Sequence, residues 1–252
     1  MPVAVVTGGS SGIGEAVART LTERGWTCIL IARGEDRLRS VAEELGAEWE
    51  VCNVGDRGAV ELTAAAIRER HPEIGLLVNG AGIPGRGGFL RASPELIEEV
   101  ARTNYLGGVW CVRAFLPALE AAAPSHVVNV VSVVGVVAAG AAGPYTASKH
   151  AQLAFSRSVR TELRGRGVSV HAVLPGLVET PGFPQSTRFS NPFVGALVVE
   201  PELVARRILT ALERDRREVF VPRFYRVAAL AQALVPGLVA RAGAWGMRPA
   251  ED

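Results

Sequence analysis

Tyr145 and Lys149 stand four residues apart in the stretch Pro144-Tyr145-Thr146-Ala147-Ser148-Lys149, and this lysine is the only one in the chain. Every other basic side chain among the 27 Lys and Arg residues is an arginine. A sequence that uses guanidinium everywhere else and keeps one ammonium gives that ammonium a task a planar fork does badly. On a helix, positions i and i+4 share a face, so the phenol and the ammonium project to the same side, one turn apart. A free phenol has a pKa of about 10, and lowering it by about three units takes about 4 kcal/mol. A unit positive charge about 4 Å away supplies roughly 4 kcal/mol at an effective dielectric of about 20, and about 1 in bulk water. One ammonium therefore suffices only in a crevice partly closed to solvent, and the chemistry it implies is proton exchange at the phenol. The plainer reading, a packed tyrosine beside a solvated lysine, gives no reason for keeping a single lysine.

The elements that must position this pair begin at the N-terminus. Residues 3–6 are a short apolar run, as expected of a strand covered on both faces. The run passes into Thr7-Gly8-Gly9-Ser10-Ser11-Gly12-Ile13-Gly14, after which Ile13, Ala16, Val17 and Leu21 recur at helical spacing. Strand, glycine turn and helix in that order point to a diphosphate site ahead of a turn that serves only tight packing, because glycines let backbone N–H groups approach and the helix N-terminus adds its positive dipole end. Gly8, Ser10, Ser11, Gly12, Ile13 and Gly14 are its candidate contacts. Residues 27–32 form the second strand, whose end holds Ala32 and Arg33 where a ribose-binding acid would stand. The missing carboxylate removes repulsion and the guanidinium can grip a 2′-phosphate, so NADP is expected ahead of NAD. A solvated Arg33, with Asp36 capping the next helix, is the competing reading.

Further strands are predicted at 48–54, 75–78, 126–131, 168–174 and 218–221, and helices at 56–70, from Ser93-Pro94 to about 119, and from Pro201. The small residues of Asn79-Gly80-Ala81-Gly82 would let the backbone pass close to a bound ribose or adenine, and a simple tight turn is the competing reading. Gly107-Gly108 marks a weak point in the long helix, just after Asn104. Ser132 ends the fifth strand, and in an open α/β sheet that end faces the ligand crevice. Residues 181–200 are rich in Pro, Gly, Ser and Phe without a period, which reads as a substrate lid carrying Phe183, Phe189 and Phe193. In the tail, 224–245, Val227, Leu230, Ala231, Leu234, Val235 and Leu238 form an apolar helical stripe. That stripe has four places to go: the domain itself, a partner subunit, the substrate pocket, or a membrane surface.

The chain has 252 residues, of which 48% are hydrophobic, enough for one α/β domain spanning 1–252. A net charge of +2 with interspersed arginines argues against a nucleic-acid partner. Cys28, Cys52 and Cys111 are odd in number, lack metal-ligand spacing and fall in or beside apolar segments, so free thiols and no metal site are expected. The apolar run at 127–143 carries Asn129, Ser132 and glycines and reads as strand and loop, so no integral membrane segment is expected. A start of Met1-Pro2-Val3 directly into a strand predicts a cytoplasmic protein.

Taken together, Thr7-Gly8-x-x-x-Gly12-x-Gly14, Asn79-Gly80-Ala81-Gly82, Asn104, Ser132, Tyr145-x-x-x-Lys149 and Pro175-Gly176 closely resemble the short-chain dehydrogenase/reductase family to about residue 222. The resemblance implies a Rossmann-type, doubly wound parallel sheet in three αβα layers, with hydride exchange at its carboxyl edge. It implies Tyr145 as general acid/base, Ser132 on the substrate oxygen, Lys149 on the nicotinamide ribose and beside the phenol, and Asn104 holding a water of a proton relay. Pro175, Gly176, Val178 and Thr180 would line the nicotinamide carboxamide, and Asn53 with Val54 the adenine. Pairing into a homodimer or homotetramer through the helices carrying Asn104 and Tyr145 is also implied. Three positions depart from the family: Gly80 stands where a second asparagine is common, Asn53 where Asp is common, and Ser11 where NADP users often carry a basic residue. Arg33 would then grip the phosphate alone or with Ser10 and Arg37. The activity expected is interconversion of an alcohol and a ketone or aldehyde on a largely apolar small molecule. A non-catalytic nucleotide-binding sensor or scaffold is the alternative, and it predicts damage to the Ser-Tyr-Lys set, which is intact.

Overall fold

The computed structural model describes residues 1–85, 87–137, 142–183 and 197–237. Seven strands form one parallel sheet in the order β3-β2-β1-β4-β5-β6-β7. They are β1 Val3–Thr7, β2 Thr27–Ala32, β3 Glu48–Val51, β4 Leu76–Asn79, β5 Ser125–Val130, β6 Val168–Pro175 and β7 Glu218–Val221. The strands are apolar on both sides because helices cover both faces. One face carries α1 Gly12–Thr22, α2 Glu35–Leu45 and α7 Pro201–Glu213, packed around Val6, Leu21, Leu30 and Ile208. The other carries α3 Arg57–Arg70, α5 Gly107–Ala121 and α6 Gly143–Glu162, packed around Ile29, Leu77, Phe115 and Val127. The fold is thus the three-layer, doubly wound α/β domain that the family resemblance implies.

Four local expectations change. The third strand stops at Val51. Cys52, Asn53 and Val54 belong to the loop beyond it, where the Asn53 side chain closes a turn by accepting from Gly55 N–H at 3.1 Å. Asp36 does not cap α2: Gly34 holds the cap position, and Asp36, fully exposed in the first turn, faces Arg39 at 3.5 Å. The long helix after Ser93 is three pieces, α4 Pro94–Ala101, a π-helical turn Arg102–Leu106, and α5. The irregularity sits just before Gly107-Gly108, and Gly107 is pressed on Val54, where an added Cβ would lie 2.8 Å from the valine side chain. Ser93 does cap α4, accepting from Leu96 N–H at 3.2 Å. The fourth change is in the tail. Helix α8, Tyr225–Leu234, has no buried residue, and Val227, Leu230 and Leu234 stay exposed.

Of the lid, only 181–183 and 197–200 fall within the described residues. They hold a Thr180–Phe183 bridge and a Val178–Val199 bridge. Phe189, Phe193 and the tail beyond residue 237 lie outside them. No helix among the described residues is long and apolar enough to cross a membrane. The three cysteines are buried free thiols.

Candidate active site

Strand order reverses at β1, whose neighbours β2 and β4 run on to opposite sides, and a crevice opens beyond the carboxyl ends at such a switch point. Two backbone turns form its floor. The Thr7 hydroxyl accepts from Gly80 N–H at 3.1 Å and Ala81 N–H at 3.2 Å and donates to Val78 O, tying the end of β1 to the turn after β4. That contact is close enough that a Cβ on Gly8, which has φ +71, would lie 2.9 Å from the Ala81 backbone. Gly14 packs on the Gly8 carbonyl with no room for a side chain. Gly12, at φ +56, faces the Thr180 side chain. A bare backbone floor at the N-terminus of α1 fits a diphosphate group.

The crevice encloses about 380 Å³, within the range of small-molecule sites. Gly8, Ser11, Gly12, Ile13, Gly14 and Gly80 line it together with Ser132, Tyr145, Lys149, Pro175, Gly176, Val178 and Thr180. Phe183 also lines it, with its ring centroid 5.4 Å from that of Tyr145. A wider, more open cleft of about 720 Å³ lies at the opposite edge of the sheet, near Trp26, His71 and His126. It holds neither glycine turn nor paired hydroxyls, so chemistry rather than size selects the first.

Ser132 caps the 3-10 turn Val133–Gly135, accepting from Val134 N–H at 3.3 Å and donating to Pro175 O at 3.3 Å. It shares the crevice wall with the Tyr145 phenol, and its nearness favours the ionised form of that phenol. Tyr145 is held from behind. Asn104 Nδ2 donates to Ser148 Oγ at 3.1 Å, and Ser148 Oγ donates to the Tyr145 carbonyl at 2.7 Å. Lys149 is 4% exposed, and its Nζ donates to Val130 O at 2.9 Å and to Gln152 Oε1 at 2.8 Å. Its Nζ lies 5.7 Å from the centre of the Tyr145 ring.

The electrostatics differ from the expectation of a phenol brought towards neutrality. Although Tyr145 keeps some exposure to the crevice, burial pushes its phenol up to about 12, against a smaller opposing effect of the Ser132 hydroxyl. Burial alone pulls Lys149 down to about 7. The same closure that would strengthen attraction between the pair penalises each charge, and at this separation the penalty wins. At neutral pH the phenol carries its proton.

Several expected contacts stand apart from the crevice wall. Asn79 turns its side chain inward, its Nδ2 donating to Asn129 Oδ1 at 2.8 Å and its buried Oδ1 left without a hydrogen-bond partner among the described residues. Asn104 accepts from Ile83 N–H at 2.8 Å and donates to Ile83 O at 3.0 Å, so its side chain pins the turn after Gly82. Arg33 is half-exposed and paired with Glu99 at 3.2 Å. Arg37 Nε donates to the Ser10 carbonyl at 2.8 Å, bracing the glycine turn from outside. Asn53, Val54 and Ala81 are not among the residues that line the crevice, and Asn53 is exposed. Four residues the sequence reading passed over join the site: Thr7, Ser148, Gln152 and Tyr225. Ser148 and Gln152 could have been found as polar positions on the buried face of α6, whereas Tyr225 gave no signal.

Residues 2–190 match the family described as short chain dehydrogenase. The chain is 37% identical over 186 residues to a "Putative ketoacyl reductase" of Streptomyces coelicolor, covering 71% of each chain. It is 33% identical to "Granaticin polyketide synthase putative ketoacyl reductase 1" of Streptomyces violaceoruber, covering 92% of this chain and 89% of the relative. Among solved structures it superposes on a short-chain dehydrogenase/reductase from Burkholderia phymatum in complex with NAD, with TM-score 0.84, 25% identity and 94% of both chains covered. An actinorhodin polyketide ketoreductase with NADPH gives TM-score 0.78 at 31% identity, covering 87% of this chain and 95% of that one. The protein belongs to the short-chain dehydrogenase/reductase family. It is an NAD(P)-linked oxidoreductase of CH–OH and C=O groups.

Proposed function

We propose that the protein reduces the carbonyl of a largely apolar small molecule, using NADPH. The observation that carries the reductive direction is a protonated phenol and a serine hydroxyl sharing one wall of the crevice, two donors for one carbonyl oxygen. A bound reduced nicotinamide supplies the hydride. The protein's own part is to hold the carbonyl oxygen between Ser132 Oγ and Tyr145 Oη and pass it the phenol proton as charge develops there. Lys149, when protonated, offsets the charge left on the phenol. Asn104 acts through Ser148 and the Ile83 turn, as a positioning residue; a relay water would sit on its main chain, since its side chain is engaged. The relatives named as ketoacyl reductases and the NADPH-bound neighbour agree with this reading.

Apolar substrate is favoured by Val131, Val133, Val134, Leu177 and Phe183 in the wall. The 181–200 segment and α8 are the substrate cover in this proposal, which Phe183 over the phenol and Tyr225 in the wall support. NADPH is favoured over NADH by Ala32 and Arg33, with Glu99 as the anion a 2′-phosphate would replace. The same reading makes the protein a cytoplasmic homodimer or homotetramer, whose assembly sedimentation would read. The test is a screen of carbonyls with each coenzyme, followed at the reduced nicotinamide absorbance. NADPH consumption with apolar ketones is expected, and coenzyme binding without turnover of any carbonyl would overturn the assignment.

A further inference from the structure

Among the described residues, Lys149 has no carboxylate partner. Its two acceptors are the Val130 carbonyl and the Gln152 side-chain oxygen, both neutral. Gln152 is 1% exposed, an expensive place for an amide unless it is used. Its backbone is fixed as well. Ser156 Oγ donates to the Gln152 carbonyl at 2.7 Å, Asn129 Nδ2 donates to Ser156 Oγ at 2.9 Å, and Asn79 Nδ2 donates to Asn129 Oδ1 at 2.8 Å. This buried chain of amides and a hydroxyl runs from the end of β4, across β5, into α6. It locks the turn of α6 from which the Gln152 oxygen reaches Lys149. An ammonium has three N–H bonds. With two directed backward into protein, the third is left for the crevice side, where Tyr145 stands.

We propose that Gln152 is the positioning residue of the active-site ammonium, a neutral acceptor that holds Lys149 aimed and charged without cancelling its field at the phenol. A carboxylate at 152 would hold the ammonium more tightly but neutralise it. An apolar residue would leave a buried charge with one acceptor, and the lysine would give up its proton. The proposal rests on the assignment of Tyr145 and Lys149 to proton transfer, yet it concerns a property of the protein that is measurable without any substrate.

Little else titrates around this group. On α6, Tyr145 is the titratable neighbour. His150 is turned to the Thr146 carbonyl, Arg157 to Glu218, and Arg160 to the Val170 and Arg217 carbonyls. The neighbouring π-helical turn presents neutral Asn104, and β5 presents the Val130 carbonyl. Glu95, Glu98 and Glu99 of α4 are exposed on the outside. Burial is accordingly the sole cause of the lowered lysine value, with no charged group contributing.

Because Lys149 is the only lysine, protein made with lysine labelled at the ε-carbon gives one side-chain resonance that needs no assignment. Its pH titration would be recorded on the coenzyme-free full chain for the native sequence, Gln152→Met and Gln152→Glu. Methionine keeps the side-chain length and removes the acceptor; glutamate keeps the acceptor and adds charge. The midpoint is expected to fall by about one pH unit in Gln152→Met and to rise by about one in Gln152→Glu. Opposite shifts cannot come from a general loosening of the fold, which would move both midpoints towards the ordinary lysine value. Thermal unfolding of each variant checks that it is folded, and if Gln152→Met is not, Gln152→Leu, which also removes the acceptor, takes its place. An unchanged midpoint in the folded variants overturns the proposal. Failure of the carbonyl screen with these shifts present would instead remove only the assignment of the reaction.

Discussion

No side chain fits on Gly176, because the ring of Tyr225 occupies the place a Cβ would take. Tyr225 also lines the crevice with Pro175, Gly176 and Leu177, so that stretch is the dock for the otherwise exposed helix α8. Gly176→Ala is therefore expected to expel the ring, raising KM for an apolar ketone several-fold and costing about 1–3 kcal/mol in stability as an overpacked contact. Adding Tyr225→Ala to Gly176→Ala should recover the stability but not KM. Denaturant unfolding and steady-state kinetics on both proteins read the two parts separately.

Tyr145→Phe keeps the ring against Phe183 and removes the donor. Turnover is expected to fall by about 10²–10⁴-fold, the usual contribution of general acid catalysis, with coenzyme affinity unchanged. Ser132→Ala should cost less at neutral pH, since the phenol remains to hold the oxygen, yet it removes the hydroxyl that opposes the rise in the phenol's pKa. Near-normal turnover in Tyr145→Phe would remove the phenol from the chemistry.

Arg33 and Glu99 give a test of coenzyme choice in two directions. With Glu99 neutralised as Glu99→Gln, the guanidinium is released from its 3.2 Å partner, and NADPH should bind about two- to fivefold more tightly while NADH is unaffected. Arg33→Ala should weaken NADPH by at least tenfold and NADH little. Equal effects on both coenzymes, measured by fluorescence titration, would place the 2′-phosphate elsewhere.

Much of this site could be read before any coordinates, because its residues are fixed by local backbone demands. Gly8, Gly12 and Gly14 announce a turn that side chains would block, and Tyr145 with Lys149 fall on one helical face. Asn104 and Asn79 were visible as polar residues in apolar segments, but not their orientation. Both turn to backbone or side-chain partners 21 to 50 residues away, which a linear pattern does not encode. Gln152 reads as one more polar position until α6 folds onto β5. Arg33 was chosen by its place after β2, yet Glu99 comes from 66 residues further on and holds it in an ion pair. The direction of the Tyr145 shift was missed for the same reason: the closure that makes Lys149 useful also removes the phenol from water, and the balance depends on their separation.

The pH dependence of stability follows from the same buried pair. In the unfolded chain Lys149 keeps its proton up to the ordinary lysine value of 10.5, whereas in the fold it gives it up at about 7. Between those values the unfolded state binds more protons, so the fold gains stability as pH rises from about 7. Below about 7 both states are protonated, and the full cost of burying the charge remains. Tyr145 acts oppositely. From the ordinary phenol value of 10.0 to its folded value of about 12, the folded state holds the extra proton, and stability falls as pH rises. A maximum near pH 10 is expected in urea unfolding free energy once the other groups are subtracted. Lys149→Met should abolish the rise above pH 7 while leaving the fall above pH 10, and Tyr145→Phe should do the reverse. A difference curve between native and Lys149→Met protein that is flat from pH 7 to 10 would mean that the ammonium is not buried in solution.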